Sequence, residues 1–217
     1  MLIVHPVTGK WLRCGKVLCV ARNYAKHAAE MNAKVPAAPV IFLKPATALV
    51  PSGSQVVLPA ISSTVHHELE LVVLIGRSGK DIGTGSSLQY VAGYAVGLDM
   101  TARDLQAKAK AKGQPWSVAK GFDTFAPLGN FTPAGQVQDV QALTIELSVN
   151  GQVRQEGNTS DMIFSVVHLV AWCSRIFTLE PGDVLFTGTP DGVGPVLRGD
   201  VLEASGTGLE PLKVTVA

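Results

Sequence analysis

The sequence predicts a mainly β protein with a few helices, of the α+β class, and three observations carry that reading. Short apolar runs bounded by turn residues recur along the chain. The 22 glycines and 13 prolines fall in small turn-like clusters. Residues 143–149 alternate apolar with polar side chains before Asn150-Gly151, a pair suited to a two-residue hairpin turn. With 217 residues and 47% hydrophobic content the chain can bury a sizeable core. No repeat or linker divides it, so residues 1–217 are read as one domain.

Residues 16–21 and 40–43 read as buried strands, with a short Ala-rich helix over 24–31 between them. Residues 55–58, 65–75 and 91–98 read as further strands, set apart by Pro59 and by Ser62-Ser63-Thr64. A helix is expected over 101–112, because Thr101 and Asp104 have the spacing of a capping box and Gly113 is a stop signal. After the hairpin, whose second strand starts at Gln152, Ser160 or Asp161 should cap a long helix ending near Phe177. Ile163, Val166, Val167 and Val170 recur there at helical spacing. Pro181-Gly182 turns the chain into a strand over 184–187, and residues 199–217 alternate turn signals with Val/Leu runs.

Composition excludes several partners. Eighteen Lys plus Arg against seventeen Asp plus Glu leave a formal charge of +1, which offers no basic field to nucleic acid. Cys14, Cys19 and Cys173 are odd in number and lack C-x-x-C spacing, which argues against a disulfide framework or a thiolate zinc site. With no export signal read at the N-terminus, a cytoplasmic location is expected. The apolar run 162–173 is broken by Ser165 and His168 and is shorter than the roughly 18 residues that span a bilayer, so it reads as a core helix with no membrane partner.

The most informative stretch is Val65-His66-His67-Glu68-Leu69-Glu70-Leu71 and the apolar residues after it. Side chains two apart on a strand share a face, so Glu68 and Glu70 project together. An E-x-E pair is ordinarily the solvated face of an edge strand. At the head of an apolar run, however, two carboxylates repel each other and resist burial unless a cation sits between them. Oxygen donors without nearby cysteine select Mg²⁺, Mn²⁺ or Ca²⁺ over zinc or copper. Asp99 closes the strand over 91–98. Arg103 and Gln106 follow it by four and seven residues and share its side of the helix, whereas Lys108, Lys110 and Lys112 read as a solvated face. His27 and Glu30, three apart on the short helix, can pair and orient an imidazole as a general base, although such pairs usually decorate a surface. The glycine-rich loop Thr187-Gly188-Thr189-Pro190-Asp191-Gly192 lacks the Lys-Ser/Thr ending of a phosphate-binding loop, so nucleotide binding is not indicated.

Taken together, Arg22-Asn23-Tyr24-Ala25-Lys26-His27, Leu43-Lys44-Pro45, His66-His67-Glu68-Leu69-Glu70, Leu98-Asp99-Met100-Thr101-Ala102-Arg103-Asp104, Ala119-Lys120 and Thr187-Gly188-Thr189-Pro190 resemble the fumarylacetoacetate hydrolase family. The likeness is to its short members, acylpyruvases, oxaloacetate decarboxylases or tautomerases, and isomerases of aromatic catabolism. It implies a mixed β-roll, a homodimer, and Mg²⁺ or Mn²⁺ on Glu68, Glu70 and Asp99. It also implies that Lys120, Arg103 and Gln106 surround the substrate oxygens, that Thr189 and Arg22 are substrate contacts, and that His27 with Glu30 activates water. Ala21 departs from the glycine many relatives carry there. The implied activity is metal-dependent C–C hydrolysis of acylpyruvate-type 2,4-dioxo acids through an enolate. The alternatives are decarboxylation or tautomerisation of oxaloacetate, or isomerisation of an unsaturated 2-oxo dicarboxylate, on the same site. A non-catalytic cation-binding β module is the reading from a different class, and it does not call for Arg103, Gln106, Lys120 and the His27–Glu30 pair.

Overall fold

The computed structural model describes residues 1–30 and 34–217. Its spine is an apolar run buried at every position, β8 (Leu69–Ile75), paired antiparallel with the equally buried β9 (Val91–Leu98). Because successive side chains alternate, Leu69, Leu71, Val73 and Ile75 enter the larger core cluster while Val72 and Leu74 enter a second cluster on the other face. Glu70 shares that second face.

The remaining elements, in chain order, are β1 (Leu2–Val4), β2 (Trp11–Arg13), β3 (Val17–Ala21), α1 (Ala25–Glu30), β4 (Val40–Lys44), β5 (Leu49–Pro51), β6 (Gln55–Val56) and β7 (Val65–His67), which precede β8. After β9 come β10 (Thr101–Ala102), α2 (Arg103–Ala111), α3 (Ser117–Lys120), β11 (Ala126–Leu128), β12 (Thr132–Pro133), β13 (Thr144–Val149), β14 (Gln152–Asn158), α4 (Val166–Ile176), β15 (Val184–Phe186), β16 (Gly194–Pro195), β17 (Val201–Gly206) and β18 (Leu209–Val216). The main sheet runs β4-β3-β15-β8-β9-β11-β5, with β12 also on β9. A second sheet runs β14-β13-β17-β18-β6, and a small one runs β10-β7-β16. The mixed, mainly β architecture agrees with the predicted class. Among the described residues no helix is long and apolar enough to cross a membrane.

Three elements differ from expectation, each for a local reason. The strand expected over 65–75 breaks at Glu68: β7 pairs with β10 and β16, whereas β8 joins the main sheet, so Glu68 is the joint between two sheets. The helix expected from Thr101 starts at Arg103, because Thr101 and Ala102 pair with His66 and Val65 as a strand. Its capping box does not form. Thr101 Oγ1 donates to Asp99 O at 3.1 Å, and Asp104 accepts from Ser62 Oγ at 2.6 Å. The helix expected from Ser160 or Asp161 starts at Val166 with Ser165 as its cap. Asn23 draws the preceding backbone away, accepting from Ile163 N and Phe164 N at 2.8 Å each. α1 falls where a helix was expected, and Met31, at its predicted end, lies outside the described residues.

Candidate active site and metal centre

Antiparallel register assembles the acidic cluster. Leu69 lies opposite Leu98, so the next pair outward is Glu68 and Asp99, joined by Asp99 N–H donating to Glu68 O at 2.8 Å. Glu70, two residues along, points the same way as Glu68. The three carboxylates are buried and bring ligand atoms within 4.8 Å of one another. They line a cavity of about 410 Å³ that also takes in Arg22, His27, Arg103, Gln106, Lys120 and Thr189. Every residue singled out in the sequence therefore borders this cavity except Glu30, which stands behind His27.

Cations neutralise two of the three acids. Lys120 Nζ lies 2.8 Å from Glu68 Oε2 and 2.5 Å from Asp99 Oδ2, and Arg103 Nη2 lies 2.5 Å from Glu68 Oε1. Burial by itself would raise the Glu68 pKa, but the charges of Lys120, Arg103 and His27 outweigh it and hold this carboxyl far below the usual range. Lys120 is held protonated: burial opposes its charge, and Asp99 and Glu68 more than offset that. Glu70 has no such partner among the described residues. Its one hydrogen bond comes from Gly188 N–H at 2.6 Å, and burial, then Asp99 and Glu68, push its pKa well up.

This donor set fits a hard divalent cation. All three groups offer carboxyl oxygen, and Glu70 is left without a cation that would favour its ionised form. A further unused acceptor is Asp99 Oδ1, buried without a hydrogen bond although Lys44 Nζ is 2.7 Å away. The ammonium has three hydrogens. They go to the carbonyls of Met100, Lys120 and Phe125, at 3.0, 2.5 and 2.9 Å. The approach of Lys44 to Asp99 is thus a charge contact, leaving an oxygen lone pair for a ligand.

The other groups have defined settings. His27, 5% exposed, has Nδ1 3.2 Å from Glu30 Oε2, and Glu30 Oε1 accepts from Gly192 N at 3.1 Å. With Nδ1 turned to the carboxylate, Nε2 is the free ring nitrogen. Arg103 Nη1 donates to Gln106 Oε1 at 2.8 Å, so one guanidinium links an acid and an amide. Arg22 has φ 57°, a left-handed backbone that is strained for a side chain of its size, and its Nε is buried without a partner.

The fumarylacetoacetate (FAA) hydrolase C-terminal family model matches residues 16–217. The chain belongs to the fumarylacetoacetate hydrolase family. It is 46% identical over 216 residues to the Mus musculus protein named oxaloacetate tautomerase FAHD1, mitochondrial, covering 100% of this chain and 98% of that one. It is 46% identical over 201 residues to the Dictyostelium discoideum oxaloacetate decarboxylase, mitochondrial, covering 92% of each. Among solved structures, the fumarylpyruvate hydrolase of Pseudomonas aeruginosa, in complex with Mn²⁺ and pyruvate, superposes with a TM-score of 0.94 at 41% identity, covering 100% of this chain and 95% of that one.

In this family member several residues beyond those read from the sequence shape the cavity. Lys110 is exposed, as expected of a solvated face, and it also borders the cavity, with its ammonium 5.5 Å from the Trp116 ring. Burial, then Arg103 and Arg22, lower its pKa. It lies seven residues after Arg103 on α2, a spacing that could have placed it on the same face. Phe42 and Trp116 add an apolar wall, and Lys120 Nζ lies 4.9 Å from the Phe42 ring. Lys44, in the Leu43-Lys44-Pro45 motif, and Gln155 stand behind this lining, and their contacts had no local signal because the partners are distant in sequence.

Proposed function

We propose that the chain is a divalent-metal-dependent enzyme that cleaves or rearranges small 2-oxo acids through an enolate. The observation that carries this reading is the convergence of Glu68, Glu70 and Asp99, one of them without a compensating charge, in a cavity that also holds Lys120 and the His27–Glu30 pair. Glu68, Glu70 and Asp99 would hold Mg²⁺ or Mn²⁺, which when bound supplies a Lewis acid for the substrate's keto and carboxylate oxygens. Arg103, Gln106 and Thr189 orient the substrate by hydrogen bonds. Lys120, kept protonated by its acidic neighbours, donates to the oxyanion that develops. His27 Nε2 accepts a proton and Glu30 stabilises the resulting imidazolium.

Two reactions follow from the proton that His27 takes. If it comes from water, the water oxygen adds to the distal carbonyl of an acylpyruvate. The C–C bond then breaks with its electron pair passing to the pyruvate enolate, and a carboxylic acid leaves. If it comes from C3 of oxaloacetate, the electron pair left behind passes to the keto oxygen, which takes up a proton from solvent to give the enol while His27 releases its own. The second reading gains support from Arg22 and Lys110, cavity cations that pair with no carboxylate among the described residues and suit a second substrate carboxylate. The name of the mouse relative supports it as well, and that of the Dictyostelium relative supports oxaloacetate as the substrate.

The deciding experiment is turnover by metal-stripped protein on acetylpyruvate and oxaloacetate in parallel, with Mg²⁺ or Mn²⁺ restored. Acetate plus pyruvate identifies the hydrolase, CO₂ the decarboxylase, and a change in enol absorbance at constant mass the tautomerase. No metal-dependent turnover on either acid overturns the reading. Family resemblance also supports a homodimer, which a monomer mass in solution scattering would overturn. The buried free thiols of Cys14, Cys19 and Cys173 support a reducing compartment, the cytoplasm in this reading.

A further inference from the structure

We infer that Gln155 is a positioning residue that fixes the Thr189 hydroxyl as a hydrogen-bond donor facing the cavity, ready for an anionic oxygen of the ligand. The identity of that ligand rests on the 2-oxo acid reading above. The placement of the hydrogen atoms rests on the hydrogen bonds alone.

Gln155 reaches the site by an irregularity in its hairpin. Leu147 pairs with Gln155 but Ser148 pairs with Val153, so Arg154 is left without a partner and forms a bulge. Such a bulge re-aims the neighbouring side chain. Gln155 is the buried residue on an otherwise exposed or half-exposed strand, 1% accessible, and it lies beneath the loop that carries Thr189.

The polarity of its amide is determined by its neighbours. Leu69 N–H can only donate, so the Gln155 atom 2.9 Å from it is the amide oxygen. His67 Nδ1, 2.9 Å from the same oxygen, must then carry a hydrogen too. The amide NH₂ therefore faces the opposite way, towards Thr189 Oγ1 at 2.8 Å and Pro190 O at 3.1 Å. Both hydrogens and both lone pairs of the amide are used. Thr189 Oγ1 is thereby an acceptor towards Gln155, and its own hydrogen meets no acceptor among the described residues. Thr189 is 3% exposed and borders the cavity, so that hydrogen is available to a bound anion. A hydroxyl without this neighbour could rotate to donate or accept. One already turned needs no reorientation when an anionic oxygen binds. Leu69 lies between Glu68 and Glu70, so the same amide ties the cavity-facing loop to the segment carrying two of the acids.

The test is Gln155→Glu, which keeps the oxygen for Leu69 and His67 but replaces the NH₂ with a second acceptor, so that Thr189 must donate backwards. With Mn²⁺-loaded protein and oxaloacetate, Q155E and Thr189→Val are each expected to raise KM about tenfold with kcat changed less than about threefold, the pattern of a lost binding contact. The double variant should be within about twofold of T189V, since the two act through one hydroxyl. A wild-type KM in Q155E, or effects that multiply to about a hundredfold in the double variant, overturns the inference. A neutron structure of the deuterated wild-type protein reads the same point without substitution or turnover. A Thr189 deuteron on the cavity side supports the inference, and one directed at Gln155 overturns it. Failure of the 2-oxo acid reading would appear separately, as absence of wild-type turnover.

Discussion

Replacing Lys44 with methionine tests how the acidic centre is held together. Lys44 is 3% exposed and its ammonium serves three carbonyl oxygens, at 2.5–3.0 Å, while lying 2.7 Å from Asp99 Oδ1. Methionine fills the same space and supplies no donor, so three carbonyls and part of a carboxylate lose their partner together. Removing one member of a buried charge pair typically costs about 3–5 kcal/mol. For a chain of this length that corresponds to a fall of roughly 6–20 °C in Tm. Differential scanning calorimetry of wild type, Lys44→Met, Asp99→Asn and the double variant measures it. The double variant should lose clearly less than the sum of the singles, because D99N removes the charge that K44M strands. A K44M loss below about 1 kcal/mol, or strict additivity, would refute the assignment of Lys44 as the brace of this centre.

Four further outcomes are expected. Saturating Mn²⁺ should raise the Tm of wild type, by the equivalent of about 2.7 kcal/mol at a hundred times Kd, and Glu70→Gln should lose most of that rise. His27→Ala should lower kcat on the substrate found by the product assay by about a hundredfold or more, and a loss of only a few-fold would remove the general-base role. Lys110→Met should raise KM for oxaloacetate about tenfold while changing KM for acetylpyruvate less than about threefold, in steady-state assays with Mn²⁺ present. Lys16 supplies a pH dependence: burial disfavours its charge, but the bonds to Asp183 at 2.9 Å and Glu180 at 3.1 Å outweigh that and raise its pKa above 10.5. Since the folded value exceeds the unfolded one, the stabilisation is fully present below pH 10.5 and is lost as pH rises through the folded pKa. The Tm deficit of Lys16→Met should therefore be constant between about pH 7 and pH 10 and shrink at higher pH.

What the sequence made legible was whatever local spacing encodes. Strand periodicity put Glu68 and Glu70 on one face, and a strand end put Asp99 at the sheet boundary. Residue types read in isolation were weaker. The three-residue spacing of His27 and Glu30 is that of an ordinary surface pair; their contact at 3.2 Å is local, and its place beside the cavity is the tertiary outcome. Contacts between distant segments left no trace in any window. Gln155 meets Leu69 86 residues away, and Lys44 meets the Lys120 carbonyl 76 residues away. Helix starts failed for the same reason. Thr101 was recruited into a strand by His66, and residues 163–164 were held by Asn23, so the tertiary partner overrode the local capping signal.

The loop between β15 and β16 has a consequence for how this chain can change. Gly188 N–H meets Glu70, the Thr189 hydroxyl borders the cavity, and Gly192 N–H meets Glu30. A side chain at Gly188 or Gly192 would collide with Asn23 or with the Arg154 carbonyl, and both glycines have positive φ. Three stations along one short stretch of backbone are thus indexed to Glu70, to the cavity and to Glu30, which belong to different parts of the fold. Surface loops ordinarily absorb insertions. Here one added residue would put two stations out of step with the third, so the length of this segment is as constrained as the identity of the acids it serves.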